Sequence, residues 1–296
     1  MERPVPADLP RLTPRRRWKG AAPYGLLAPG GLWLLVLFIV PMVAMASLAL
    51  QEGTSLEGFR MTWRFANFTD ALSKYDEFFL RSLRNGAIVT AASLVLSYPI
   101  AYWIAFYGGR FKTVFLFLLL LPFFVSFVIR TVSWSFILSD DGIVFGPLKS
   151  IGLLPEGFRV VGKTFAVLAG ITYNLLPFTI LPLYVSLERI DKSLVEAAKD
   201  LYSNKVQAFL KVVLPLSLPG VFAAILLTSI PAVGDYVNAA VLGGPGTSMI
   251  GNVIQSEFLV ARDYPEASAL AFILMAAMLV GATLYARLLG TEEITT

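Results

Sequence analysis

The sequence predicts an all-α polytopic membrane protein with six transmembrane helices, on three observations. Of its 296 residues, 56% are hydrophobic and only 15% charged, where a water-soluble domain has about a quarter of its residues charged. The mean hydropathy is +0.71. Six mostly apolar runs, with no charge but Arg130 and Arg287, can be read along the chain, each of about 20 residues or more, and one helix needs about 20 to cross the hydrocarbon core.

The first run, 26–50, follows a basic segment holding Arg11, Arg15, Arg16, Arg17 and Lys19. It is too long for the apolar region of a signal peptide, and Pro29 and Pro41 interrupt it. It reads as an uncleaved first helix. The other runs are 85–109, 113–138, 164–187, 212–234 and 267–287. Alternating their direction gives the cytoplasmic parts about 14 Lys and Arg against about 8 Asp and Glu, and the outer parts about 9 against about 12, which fits the positive-inside rule. The expected layout is a basic cytoplasmic N-terminal tail 1–25, a transmembrane domain 26–290 and a C-terminal tail 291–296, multi-pass in a bacterial inner membrane with both termini cytoplasmic.

Of the longer connections, 51–84 and 139–163 fall outside and 188–211 inside. Trp63, Phe65, Phe68, Phe78 and Phe79 among charges suggest short interfacial helices and turns over 51–84. Asn67-Phe68-Thr69 has the form of a glycosylation sequon, a pattern short enough to recur by chance.

Composition also excludes chemistry. There is no Cys and no His, so thiolate and imidazole metal sites and Ser-His-Asp catalysis are ruled out. No G-x-x-x-x-G-K-[ST] segment occurs, so any ATP that drives the function is held by another chain. The net charge of +4 comes from basic residues at the ends of apolar runs, which is topology and gives no nucleic-acid footprint.

The segment from Glu188 to Gly220 carries the most information. Ile190, Leu194, Ala197, Ala198 and Leu201 recur at helical spacing, so 191–201 reads as an amphipathic helix with Asp191 as its cap. A polar turn at Ser203-Asn204 separates it from a second stretch, 206–213, that leads into Pro215 and Pro219. Spacing alone equally allows a plain interfacial connector. The residues themselves are more specific: Glu196-Ala197-Ala198, three residues, a turn position, nine residues, Val212, one residue and Leu214-Pro215.

That order resembles the EAA loop of ABC importer permeases, EAA-x3-G-x9-I-x-LP. Tyr202 stands where the family has Gly, so the turn is expected to shift onto Asn204 or the first helix to end differently. Further on, Gly234-Asp235-Tyr236-Val237, Leu242-Gly243-Gly244-Pro245-Gly246 and Met249-Ile250-Gly251-Asn252 are similar to the polyamine (spermidine/putrescine), opine and iron branch, as is Arg130-Thr131-Val132-Ser133-Trp134. The chain resembles the first permease of a pair.

The resemblance implies a type I ABC importer permease fold and inward movement of a small solute, best matched by a polyamine, through alternating access. It implies no enzymatic activity and no cofactor in this chain, with ATP and Mg bound by partner ATPases. The implied partners are two ATPase subunits, a second and different permease, and a periplasmic or extracellular solute-binding protein. It assigns ATPase coupling to Glu196, Ala197, Ala198, Leu201 and Tyr202.

For the substrate pathway the candidates are Asp235, Tyr236, Trp134, Tyr173, Asn174 and Arg130, since aromatic faces and a carboxylate suit an amine cation. Arg130 is the basic residue deep in an apolar run; it is a functional candidate, or it snorkels to the interface. Asp235 pairs with it or lines the pathway. Phe115, Phe117, Phe123, Phe124 and Phe127 face lipid or core, and Gly-Gly-Pro-Gly forms a tight turn. The competing class is a secondary transporter or channel driven by an ion gradient, whose marks are inverted repeats, broken helices or midplane carboxylates. The apolar runs display none of them.

The topology is testable because the chain lacks Cys. Single cysteines at Ser55, Ser150 and Ser248 should react with an impermeant thiol reagent in intact cells while one at Ser203 stays unlabelled, and the reverse pattern would refute the orientation.

Overall fold

The structure, a computed structural model, describes residues 22–202 and 204–289. Residues 1–21, which hold most of the basic tail, Ser203 and the C-terminal 290–296 lie outside the described residues, as does the side chain of Tyr202. Among those described, four helices are long and apolar enough to cross a bilayer, and six spans result if each of two bent helix pairs is one span.

The first span is built from α1 (Ala22–Leu34) and α2 (Val40–Ala49) with a π-helical turn over Leu35–Ile39. Pro41 lacks the N–H that the Leu37 carbonyl would accept in an α-helix, and the wider turn falls there. The described residues up to Ser47 cluster as a compact unit of their own, and those from Leu48 onward form the other.

The second unit opens with an antiparallel hairpin, β1 (Gln51–Thr54) and β2 (Gly58–Met61), in which Gln51 faces Met61. α3 (Ala66–Tyr107) then covers 42 residues as two helical stretches joined across a kink at Tyr75, whose φ −124° and ψ 20° are not helical. Over 51–84 the hairpin was not expected, whereas the stretch of α3 before its kink is a short helix, as expected there. Ala71, Tyr75 and Phe79 recur at i, i+4 and i+8 and are buried; this stripe gives the charged stretch its helical period. The Asn67 amide donates to the carbonyls of Ala49 (3.0 Å) and Gln51 (2.9 Å), so the sequon side chain is bound to backbone.

The third span is α4 (Lys112–Leu120), a 3-10 turn over Leu121–Phe124, and α5 (Phe127–Ile137), bent by 92°. Pro122 removes a donor, and the chain is extended at Val125 (φ −88°, ψ 139°). After α6 (Phe145–Ser150), α7 (Thr164–Glu188) matches the expected fourth run. The next segment contains α8 (Lys192–Tyr202), α9 (Lys205–Ala208), a π-helical turn over Phe209–Val213 and α10 (Leu214–Leu216). α11 (Leu218–Val233) follows across a 66° bend, with Pro215 and Pro219 flanking Ser217. Unbroken helices over 113–138 and 212–234 are thus corrected, because hydropathy reads continuously through both breaks. The chain ends with α12 (Val237–Leu242), α13 (Ile250–Ser256) and α14 (Tyr264–Leu289). Between α12 and α13, Thr247 N–H donates to Gly244 O at 3.0 Å and Gly246 has φ +86°. Pro245 then occupies the second place of a type II turn, the tight turn expected of this segment.

Three buried clusters hold this unit together. One joins Val89 of α3 to Val167, Ile171 and Leu175 of α7 and to Ala239 and Leu242 of α12. A second joins Ala101 and Ala105 of α3 to Ile180, Leu183 and Leu187 of α7, Val195 of α8 and Ala224 of α11. The third packs α3 on α13 and α14. Helices in lipid associate through close packing of small residues more than through hydrophobicity. Gly220 of α11 sits against Ser186 of α7, where an added Cβ would also meet Pro182 O at 2.8 Å. Gly220→Val should therefore cost about 1–3 kcal/mol through overpacking, read as a lowered Tm in detergent; an unchanged Tm would show that the two helices separate freely.

Candidate functional site

Two places gather the candidate residues. The first is α8. Asp191 caps it, its Oδ1 accepting from Ser193 N–H at 2.9 Å. That backbone bond holds the Asp191 carboxyl below its ordinary range. A lowered folded-state pKa makes the cap's contribution complete above the unfolded value and lost as pH falls through the folded one. At the other end the helix continues through Tyr202, and Asn204 opens the next one, its Oδ1 accepting from Val206 N–H at 2.9 Å to cap α9. Continuing the helix through Tyr202 spares it the left-handed backbone that Gly adopts.

α8 has two faces. Val195 and Ala198 turn inward, Ala198 only 5% exposed, and Val195 joins Ile190 in the cluster with α3 and α7. Glu196, Ala197, Leu194 and Leu201 face outward, Leu201 at 77% exposure. The expectation that Ala198 contacts a partner is corrected: its small side chain permits close approach within this chain. Beside α8 lies a groove of about 590 Å³ lined by Pro182, Arg189, Leu194, Leu216 and Pro219, and Lys112 pairs with Glu188 at 2.7 Å at this end of the bundle.

The second place lies where α5, α7 and α12 meet. Asn174 Nδ2 donates to Thr131 Oγ1 and to Asn238 Oδ1, each at 3.1 Å. Asn238 in turn donates from its backbone N–H and its Nδ2 to the two carboxylate oxygens of Asp235, each at 2.8 Å. Asn174 and Asn238 are buried. This bridge of amides is what an apolar bundle requires of its buried polar groups. Sequence reasoning found Asn174 and Asp235 but missed Thr131 and Asn238. The Asp-x-x-Asn spacing of Asp235 and Asn238, which lets the carboxylate reach the third N–H of a helix start, was the available signal.

Arg130 has no ion pair among the described residues, and Asp235 spends both its oxygens on Asn238. Nor does Arg130 snorkel: it is 9% exposed, its guanidinium 4.6 Å from the Phe123 ring and 5.9 Å from that of Phe127. Phe123, expected in lipid or core, therefore carries the cation on its face, and it also packs on Phe178 at 5.2 Å. Trp134 and Tyr173 meet edge to face with centroids 5.2 Å apart. Tyr236 is exposed, its carbonyl accepting from Asn252 Nδ2 at 2.8 Å. Because no bond links the two charges, Arg130→Gln and Asp235→Asn should reduce uptake additively, within about 0.5 kcal/mol. Recovery of activity in the double variant would show that they pair after all.

Comparison with known proteins supplies the class. Residues 93–290 match the family described as binding-protein-dependent transport system inner membrane component. The spermidine/putrescine transport system permease protein PotB of Haemophilus influenzae is 35% identical over 253 residues, 83% of this chain and 88% of that protein. Its namesake in Escherichia coli is 34% identical over 83% of this chain and 90% of the relative. A crystal structure of a bacterial ABC transporter that imports the acidic polysaccharide alginate superposes with a TM-score of 0.69 at 20% identity, covering 92% of this chain and 96% of that one; at that identity it speaks for the fold. The chain belongs to the binding-protein-dependent transport system inner membrane component family, as a multi-pass permease subunit of an ABC importer.

Proposed function

We propose that this permease moves a polyamine such as spermidine or putrescine inward by alternating access. The observation that carries the substrate class is 35% identity, over 83% of the chain, to a spermidine/putrescine permease. ATP and Mg belong to two partner ATPases, a second and different permease completes the membrane part, and a solute-binding protein delivers substrate from outside. A related alginate transporter of TM-score 0.64 has been solved with its substrate-bound periplasmic protein, which supports the last partner. Both termini and α8 face the cytoplasm in this reading.

α8 is then the coupling helix, with Glu196, Ala197 and Leu201 touching the ATPase. Leu194 extends that face. Val195 transmits, because it shares a buried cluster with Leu183 and Leu187 of α7, while Ala198 is buried within the chain. Along the pathway, Tyr236, Trp134 and Tyr173 offer aromatic faces to an ammonium, while Asn174 and Asp235 hold the helices that carry them.

Proteoliposomes holding the full complex should take up radiolabelled spermidine or putrescine only with ATP inside the cytoplasmic compartment and with the binding protein outside. Uptake without ATP, driven by an ion gradient, would overturn the assignment. Glu196→Lys and Leu201→Asp should reduce substrate-stimulated ATP hydrolysis by about tenfold or more, as loss of an interface anchor of about 1.4 kcal/mol or above does. Full stimulation in both variants would remove α8 from coupling.

A further inference from the structure

The break in the third span encloses an open cavity of about 380 Å³ whose lining includes Phe123, Ser126, Phe127, Arg130, Asn174 and Phe178. Three features of it are unsatisfied. Arg130 Nε is buried and donates to nothing, and Asn174 Oδ1, held in place by the amide's bonds to Thr131 and Asn238, accepts from nothing. The cavity also receives the start of α5, an 11-residue helix whose first-turn N–H groups have no partners within the helix and carry its positive dipole end. A fixed cation and a helix N-terminus converge on one space, and a buried unpaired charge costs several kcal/mol.

The surroundings identify what fills it. Phe124 is 82% exposed, and Val125, Val128 and Ile129 are exposed beside it. Val125 and Ser126 carry the broken hydrogen-bond ladder, and non-helical backbone at membrane depth is tolerated only against protein or water, not against lipid tails. A lipid phosphate would also draw an arginine outward along its stem, whereas Arg130 folds inward onto Phe123. An apolar, aromatic rim around a buried cation is complementary to a protein surface that projects one carboxylate from an apolar face.

We propose that this cavity is a carboxylate-binding site, and that its occupant is an Asp or Glu side chain of the companion permease. The carboxylate accepts from Arg130 and from the start of α5, while a hydroxyl or water that enters with it donates to Asn174 Oδ1. Seating it covers the broken backbone and neutralises the arginine. This rests on the two-permease assembly above and adds the point of contact.

The test uses the complete complex in native membranes, with Phe124→p-benzoylphenylalanine as a photoreactive probe at the rim. Irradiation should yield an adduct with the companion permease whose crosslinked segment contains an Asp or Glu. Arg130→Gln should lower recovery of the companion in detergent by more than about tenfold, as truncating one member of a buried charge pair does, and neutralising the identified carboxylate should do the same. Arg130→Lys keeps the charge and should retain most of the companion, which separates this role from a failure to fold. Adducts confined to lipid, or full recovery of the companion with Arg130→Gln, would overturn the proposal while leaving the assembly intact. If no second permease accompanies the unsubstituted chain, the assembly itself fails and the contact with it.

Discussion

The bundle depends on how α7 is held between α3, α11 and α12. In a bilayer the tails outside are as apolar as the side chains inside, so helices gain little from burying leucine against leucine and must cohere through close backbone approach and hydrogen bonds across the interface. α7 concentrates both. Gly170 admits Asn238 to 2.8 Å of where a Cβ would stand, Asn174 bonds α5 and α12, Thr179 shares a hydrogen bond with Thr228 of α11 at 2.9 Å, and Gly220 seats on Ser186. These contacts fall one after another along a single helix.

That arrangement has a mechanical consequence. Asn174 and Leu187 are 13 residues apart on one helix, about 20 Å at 1.5 Å per residue, and the segment between them is buried on several sides. Val195 of α8 belongs to the same cluster as Leu183 and Leu187. Through that cluster α8 is continuous with the helix whose far end holds the amide bridge to α5 and α12. Two sharp bends lie off α7: at Ser217, where the Tyr98 hydroxyl hydrogen-bonds the Ser217 side chain at 2.6 Å beside a 66° bend, and at Val125-Ser126 beside a 92° bend. α7 itself carries Pro177 and Pro182 within this stretch, and packed helices interrupted at such points are a workable layout for alternating access, in which pieces rock about a few joints.

Much of this could be read from residues. Six apolar runs marked the candidate spans, Glu196-Ala197-Ala198 with Leu214-Pro215 pointed to the family, Asp191 was legible as a cap because its side chain reaches backbone two residues on, and Asn204 was legible as a turn residue. What hydropathy could not reveal was direction. Pro122 stands in a run that stays apolar through Val125, so the break leaves no trace in composition. Ala198 belonged to a helical stripe together with Leu194, Ala197 and Leu201, but a stripe on a short helix does not say which of its margins touches the chain itself and which is left for a partner. The hairpin and the run of α3 past its kink were hidden by charge, since Asp70, Lys74, Asp76 and Glu77 mask the stripe of Ala71, Tyr75 and Phe79.

An arginine in a conduit for cations looks like an obstacle, and its position resolves the difficulty. At an effective dielectric near 20, a unit charge about 4 Å away would repel an ammonium by roughly 4 kcal/mol, enough to close the path if it stood free. Arg130 does not stand free: Phe123 covers its face at 4.6 Å and its exposure is 9%. Asp235, the carboxylate that might have offset it, is occupied by Asn238. Arg130 in the first turn of α5 and Asp235 just before α12 are thus both engaged by the protein itself, and in the proposed pathway the surface left for a passing cation is the uncharged, polarisable one of Trp134, Tyr173 and Tyr236. Such a surface attracts an amine by about 0.5–2 kcal/mol per ring, weak enough to release it, which a transport path needs more than it needs a tight site.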